Sequence, residues 1–168
     1  MKYTNDIRKQ FDSYLSEMND SHLKSYIVER VIGQIVWYDQ KSIEKQRLFM
    51  RLSITAIVLN AIIPVMVLLS DECVLVKVLI AGLSSTVGVI NSIVALCGYK
   101  DLWIHYRSNC ELLQSVLHRF FLRAGEFRQV ADDETVLKDI LATTCEQYFS
   151  KEFQTWASVA NKDQPNGK

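Results

Sequence analysis

Two stretches of this chain carry no charge at all. Leu52–Leu69, LSITAIVLNAIIPVMVLL, is 18 residues long and lies between Arg51 and Ser70-Asp71; Val78–Gly98, VLIAGLSSTVGVINSIVALCG, is 21 residues long. At 1.5 Å per residue they reach about 27 Å and about 31 Å as helices, close to the roughly 30 Å hydrocarbon core of a bilayer. The connection between them contains SDEC and is only a few residues long, so the two helices must be antiparallel, with both chain ends on one side. A buried hairpin in a soluble helical protein is the alternative. It is disfavoured because two charge-free runs of spanning length exceed what a small core needs.

The flanking segments read as amphipathic helices. Ile7, Phe11, Tyr14 and Leu15 give one face to a helix around residues 4–17. Asn19-Asp20-Ser21 offers an N-cap for a long helix running from about residue 22 into the first span. Within it Ile27, Val28, Val31, Ile32, Ile35 and Val36 are too many for one narrow stripe, which predicts burial on two sides. After the second span no breaker follows Gly98. Tyr99, Trp103, Tyr106, Cys110, Leu113, Leu117 and Phe121 continue one face, predicting a single unbroken helix from about 75 to about 123. Asp132-Asp133-Glu134 caps a last helix through about Ala160, with Val136, Ile140, Tyr148, Phe149, Phe153 and Trp156 as its apolar positions.

The spans have distinct faces. In the second, Ala81, Ser85, Gly88, Ser92, Ala95 and Tyr99 share a narrow stripe, with Ser84 and Asn91 on its border, while Leu79, Leu83, Ile90, Val94 and Cys97 lie opposite. Small residues let helices approach closely in lipid, so the stripe is a helix-contact face, a water-facing face, or both. In the first span Ser53, Ile57, Asn60 and Pro64 share a face with Ala56 at its edge. Pro64 cannot donate to the carbonyl of Asn60, so a freed carbonyl and a carboxamide fall at one depth. In a bilayer these need a partner from another helix or from water. A gate, a polar lining and an ordinary interhelical hydrogen bond all fit.

Charge sets the orientation. Lys41, Lys45, Arg47 and Arg51 precede the first span, and Lys100 and Arg107 follow the second. The connecting loop sets Lys77 against Asp71 and Glu72. The basic side belongs in the cytoplasm. The first span begins too late in the sequence for a cleavable signal. The overall balance, 19 basic and 19 acidic residues, gives no reason to expect nucleic acid as a partner. With Gly at 6 and Pro at 2, long linkers are not expected, and NKDQPNGK at 161–168 reads as a disordered tail.

Catalytic signatures are not found. The sequence has no Gly-rich phosphate loop, no HExxH and no Gly-x-Ser-x-Gly. His22, His105 and His118 are isolated, and no two of Cys73, Cys97, Cys110 and Cys145 have CxxC spacing. Four unpaired thiols, no metal, no cofactor and no enzymatic activity are expected.

The pattern Arg30…Gln34..Trp37-Tyr38..Lys41, Pro64 inside the first span, and Trp103..Tyr106-Arg107…Glu111-Leu112 resembles the SLATT family, the SMODS- and SLOG-associating two-transmembrane proteins. Arg123-Ala124-Gly125-Glu126-Phe127 is similar to that family's segment ending in Gly-x-Tyr, with Phe127 where Tyr is more usual. The likeness covers roughly residues 27–160. It implies a prokaryotic conflict-system setting, in which such proteins act as pore-forming or membrane-disrupting effectors triggered by a partner protein or a nucleotide signal. No fused sensor domain is expected in 168 residues, all of which the bundle uses. Physically, Trp37, Tyr38, Trp103 and Tyr106 fit interfacial anchors or stalk packing. Arg30, Lys41, Arg107 and Glu111 lie on antiparallel helices where interhelical ion pairs are expected among them.

The expected fold is therefore all-α. It is a two-span transmembrane hairpin (52–99) whose helices extend into a cytoplasmic bundle formed by residues 1–51 and 100–160, followed by the tail, and assembled as an oligomer. The expected function is a homo-oligomeric pore or channel in the cell inner membrane, with both termini cytoplasmic. Its partners would be the bilayer, other copies of itself, and a partner protein or nucleotide trigger. A non-conducting anchor or scaffold that recruits a partner is the alternative.

Overall fold

The computed structural model describes residues 2–69, 74–128 and 133–162, with side chains over 7–68, 74–128 and 133–151. The connection Ser70-Asp71-Glu72-Cys73, Asp132, the side chains of Phe153 and Trp156, and positions 163–168 of the expected tail lie outside the described residues. All regular structure among the described residues is helical: α1 (Lys2–Ser16), α2 (Ser21–Ser25), a π-helical segment (Tyr26–Ile32), α3 (Gly33–Leu69), α4 (Val74–Cys97), α5 (Tyr99–Phe121), a 3-10 turn (Gly125–Phe127) and α6 (Glu134–Lys162). The helical ranges Ser21–Leu68 and Val74–Phe127 each contain a window long and apolar enough to cross a membrane.

The chain divides into two compact units, residues 1–36 with 110–168, and residues 37–109, so the division falls inside α3 and α5. The first is a helical bundle. Ile7, Phe11 and Leu15 form the buried face of α1, and Tyr14 stacks on Phe121 at 5.0 Å. Asp20 caps α2, its Oδ1 accepting from the backbone N–H of His22 at 2.9 Å and of Leu23 at 3.1 Å. The cap of α6 is Asp133, accepting from Thr135 and Val136.

The crowded apolar run of residues 27–36 takes an unexpected form. Tyr26–Ile32 is π-helical. A π-turn closes i→i+5 hydrogen bonds and so inserts an extra residue into the helical register. It lets Ile27, Val31, Ile32, Ile35 and Val36 all reach the core, which a regular helix would not do with one stripe. The segment also points Tyr26 and Arg30 at α6. Arg30 grips Glu146 with two hydrogen bonds of 3.0 and 2.9 Å and lies 4.8 Å from the Phe149 ring centre, and the Tyr26 hydroxyl donates to the same carboxylate at 3.3 Å. The Glu146 carboxyl is held below its ordinary value by the Arg30 hydrogen bond, opposed by burial.

On α6 the buried face is Leu137, Leu141 and Cys145, whereas Val136, expected on that face, is 39% exposed. Burial pushes the Cys145 thiol up to about 12, which keeps it unreactive. The 3-10 turn begins at Gly125, whose φ of +62° favours glycine. It inserts Phe127 fully into the core, edge-on to Phe120 at 5.6 Å.

Residues 37–109 form a different kind of unit, built on the apolar stretches of α3 and α4. Only 6% of each stretch's most apolar window is buried. Ile57, Val65, Leu68, Val78, Val89 and Leu96 all stand exposed, Leu68 at 86% and Leu96 at 88%. Burying one such side chain fully is worth about 1.5–3 kcal/mol, and the described residues of this unit leave most of these side chains uncovered.

One expectation fails here. The helix from residue 75 to 123 is not unbroken. Gly98 takes a φ of +54° and divides α4 from α5. A Cβ at Gly98 would meet nothing within 4 Å, so the glycine serves conformation rather than space.

Candidate functional site

Within the hairpin unit the direction of α3 and α5 follows from four contacts. Trp37 and Tyr38 meet Tyr106 (ring centres 5.7 and 6.3 Å), Arg107 pairs with Asp39 at 3.1 Å, and the Lys45 ammonium lies 5.8 Å from the Tyr99 ring centre. From Trp37 up to Lys45 on α3 the partners on α5 run back from Tyr106 to Tyr99, so the helices are antiparallel. Carried upward at equal rise on both sides, this register brings Ala56 level with Val87. Among the described residues of the apolar stretches these two are buried.

Around them each helix has one packed stripe: Leu52, Ser53, Ala56, Leu59, Ile63 and Met66 on α3, and Val76, Ile80, Leu83, Val87, Ile90 and Val94 on α4, all buried or half-buried. At the level of Val87 only α3 is available within this unit to cover α4. The small-residue stripe is not the contact face of the pair. Ala81, Ser85, Gly88, Ser92 and Ala95 are all exposed, as are Ser84 and Asn91.

On α3, Ser53 is half-buried, while Asn60 and Pro64 are exposed and flank the packed stripe. On α4, Ser84 and Asn91 flank its own stripe in the same rotational sense. In antiparallel right-handed helices, flanks of the same sense fall on the same side of the pair. The register then sets Asn60 level with Ser84, and Ser53 level with Asn91. One side of the hairpin therefore carries two polar levels and the small-residue stripe, with Ile57 beside Asn60; the opposite side carries mainly large aliphatic residues, Val58, Ile62, Val89 and Ile93 among them.

The hydroxyls on this side are internally satisfied. Ser84, Ser85 and Thr86 each donate to the carbonyl four residues back at 2.9 Å, and Ser92 does so at 2.8 Å. Each keeps lone pairs to accept with. The carboxamides of Asn60 and Asn91 make no side-chain hydrogen bond among the described residues.

The motif residues separate into two groups. Trp37, Tyr38, Tyr106 and Arg107 come together at the base of the hairpin unit, Tyr38 buried and Trp37 42% exposed. Their key partner, Asp39, is absent from the sequence reading. Its side chain is only 8% exposed and takes the Arg107 guanidinium. The available signal was the α-helical step Ile35, Tyr38, Asp39, Ser42, which carries the buried face of α3 past the π-turn. Lys41 pairs with Glu44 one turn along the same helix rather than across helices. Arg30 belongs to the bundle, paired with Glu146. Gln34 and Trp103 are half-buried and Glu111 is exposed.

Other chemistry is sparse. Among the described residues no group of three or more His, Cys, Asp or Glu could hold a metal ion. Cys97 is exposed, and Cys110 and Cys145 are buried thiols. The bundle has a cavity lined by residues including Leu23, Phe120, Phe121 and Arg123. At its edge Lys138 is engaged by Asp20 at 2.6 Å.

Residues 33–135, more than half of the chain, match the model of a family described as Protein of unknown function (DUF4231). No curated protein and no solved structure matches.

Proposed function

The chain belongs to the DUF4231 family, and we propose that it is a homo-oligomeric membrane effector whose hairpin crosses the inner membrane twice and forms a pore. The observation that carries this is the asymmetry of the hairpin: a large aliphatic side suited to lipid, and an uncovered side bearing Asn60, Ser84, Ser85, Gly88, Asn91 and Ser92, with half-buried Ser53 at its edge. A single hairpin cannot enclose a water-filled path, so several copies would turn this side inward. Lys41, Lys45, Arg47, Arg51, Lys100 and Arg107 lie at one end of the two spans against Lys77 at the other, which supports cytoplasmic termini. The SLATT resemblance of the motif residues adds the setting, a prokaryotic conflict system with a partner-protein or nucleotide trigger. No catalytic step is part of this reading.

A second reading, a non-conducting anchor that recruits a partner, draws support from the serine and threonine hydroxyls. Bonded to their own backbone, they need no water and suit dry helix packing. Ion leakage from loaded liposomes separates the two. A pore leaks, and Asn60→Leu or Ser85→Leu reduces the leak at unchanged oligomer size. Tight liposomes around well-formed oligomers, with or without candidate partners, would defeat the pore. Loss of assembly in Ser85→Leu or Ser92→Leu would favour the scaffold.

A further inference from the structure

Gly98 interrupts the sequence pattern at a definite place. The packed residues of α4 fall at 76, 80, 83, 87, 90 and 94, alternating steps of four and three. The face of α5 turned to α3 carries Tyr99 and Tyr106, with half-buried Trp103 between them. From Val94 to Tyr99 the step is five. Gly98 lies inside it, in the left-handed conformation. At 3.6 residues per turn the surplus residue rotates α4 against α5 by roughly a third of a turn.

A second stripe crosses the same point without interruption. Ala81, Ser85, Gly88, Ser92, Ala95, Tyr99, Trp103 and Tyr106 are spaced by threes and fours throughout. Were Gly98 to adopt an ordinary helical conformation, α4 and α5 would form one regular helix. With Tyr99 and Tyr106 still against α3, the small-residue stripe would then turn toward α3, and the Val87 stripe would turn out. Both packings are physically sound in lipid. One buries branched side chains, the other brings backbones close through Ala, Ser and Gly.

We propose that Gly98 is a two-setting hinge: left-handed, it leaves the small polar stripe of α4 uncovered; helical, it rotates that stripe against α3. The hinge itself follows from the packing, whereas its consequence for conduction, an exposed or withdrawn polar side, rests on the pore reading.

Disulfide trapping in membranes tests it without any measurement of conduction. In a background with Cys73, Cys97, Cys110 and Cys145 replaced, Ala56→Cys is paired with Val87→Cys for the first setting and with Gly88→Cys for the second. With Gly98 present, the Val87 pair cross-links preferentially. Gly98→Ala, which disfavours the left-handed setting, shifts the ratio toward the Gly88 pair by about tenfold. Gly98→Asn, which tolerates that conformation, leaves the ratio close to the parent's. An unchanged ratio in Gly98→Ala overturns the hinge. So does a Gly98→Ala chain that fails to insert while Gly98→Asn behaves normally, since only one setting would then be viable.

Discussion

The two units of this chain are both helical yet owe their order to opposite surfaces. In the bundle Phe11, Ile27, Val31, Leu117, Phe127 and Leu141 are fully enclosed, and the exposed positions are mostly polar. In the hairpin unit only Tyr38, Ala56, Val87 and Tyr106 are buried apolar residues among those described, while most of the large aliphatic residues face outward. The same amino-acid types are therefore core in one unit and surface in the other. The bundle can be stabilised by water excluded from its centre. The hairpin has little interior of its own, and in the proposed reading lipid and other copies cover the rest.

The largest expected break in this contrast comes from matched truncations. Leu141→Ala, which empties a fully buried site, should cost about 2–5 kcal/mol of stability in detergent-solubilised protein. Leu96→Ala, on the outer face of α4, should stay within about 0.5 kcal/mol. Chemical denaturation followed by circular dichroism measures both; equal losses would erase the distinction between the units.

Next in size is the base of the hairpin. Arg107→Ala leaves the enclosed Asp39 carboxylate without its guanidinium, and should cost about 1–3 kcal/mol and loosen assembly. Asp39→Asn in the same chain should recover much of the loss. Unchanged thermal stability and oligomer size in Arg107→Ala would show the pair to be incidental.

The smallest effect expected is an acid one, confined to the bundle. The hydrogen bond from Lys138, assisted by the backbone N–H of Leu23, holds the Asp20 carboxyl at about 2 against an ordinary 3.8. A lowered carboxyl stabilises the fold above its ordinary value and loses that contribution as pH falls through the lowered one. The Asp20 contribution should therefore be intact above about pH 4 and fade toward pH 2, and Glu146 should act in the same direction. The described part of the apolar stretches carries no carboxylate, so its helicity should persist across that range. Asp20→Asn should flatten the bundle's response, which acid titration followed by circular dichroism would read.

Much of the architecture was legible because it rests on local pattern. Charge-free length marked the two apolar helices, and the steps Ile7, Phe11, Leu15 marked α1. Three features escaped. The π-turn at Tyr26–Ile32 was visible only as an excess of apolar positions, since periodicity assumes 3.6 residues per turn and the turn breaks that assumption. Asp39 escaped because an acid in a basic, aromatic stretch reads as solvent-facing until its partner is in place. Gly98 escaped because the small-residue stripe passes through it in perfect phase. Pattern alone could not say which of two compatible stripes α4 packs with. For the candidate site, the residues were named from the sequence, but their exposure, and the common side they share with Asn60, needed the register between the helices.

The proposed residence of the hairpin in lipid is tested most directly by spin labels placed singly at Val58 and Val89, both exposed on the aliphatic side away from Asn60, in protein reconstituted into liposomes. Oxygen, which concentrates in hydrocarbon, should relax both labels strongly, while a water-soluble paramagnetic complex should barely reach them and should reach a label at Glu29 freely. If the water-soluble complex relaxes the labels at Val58 and Val89 as readily as the one at Glu29, those faces lie in water and the hairpin does not cross the bilayer.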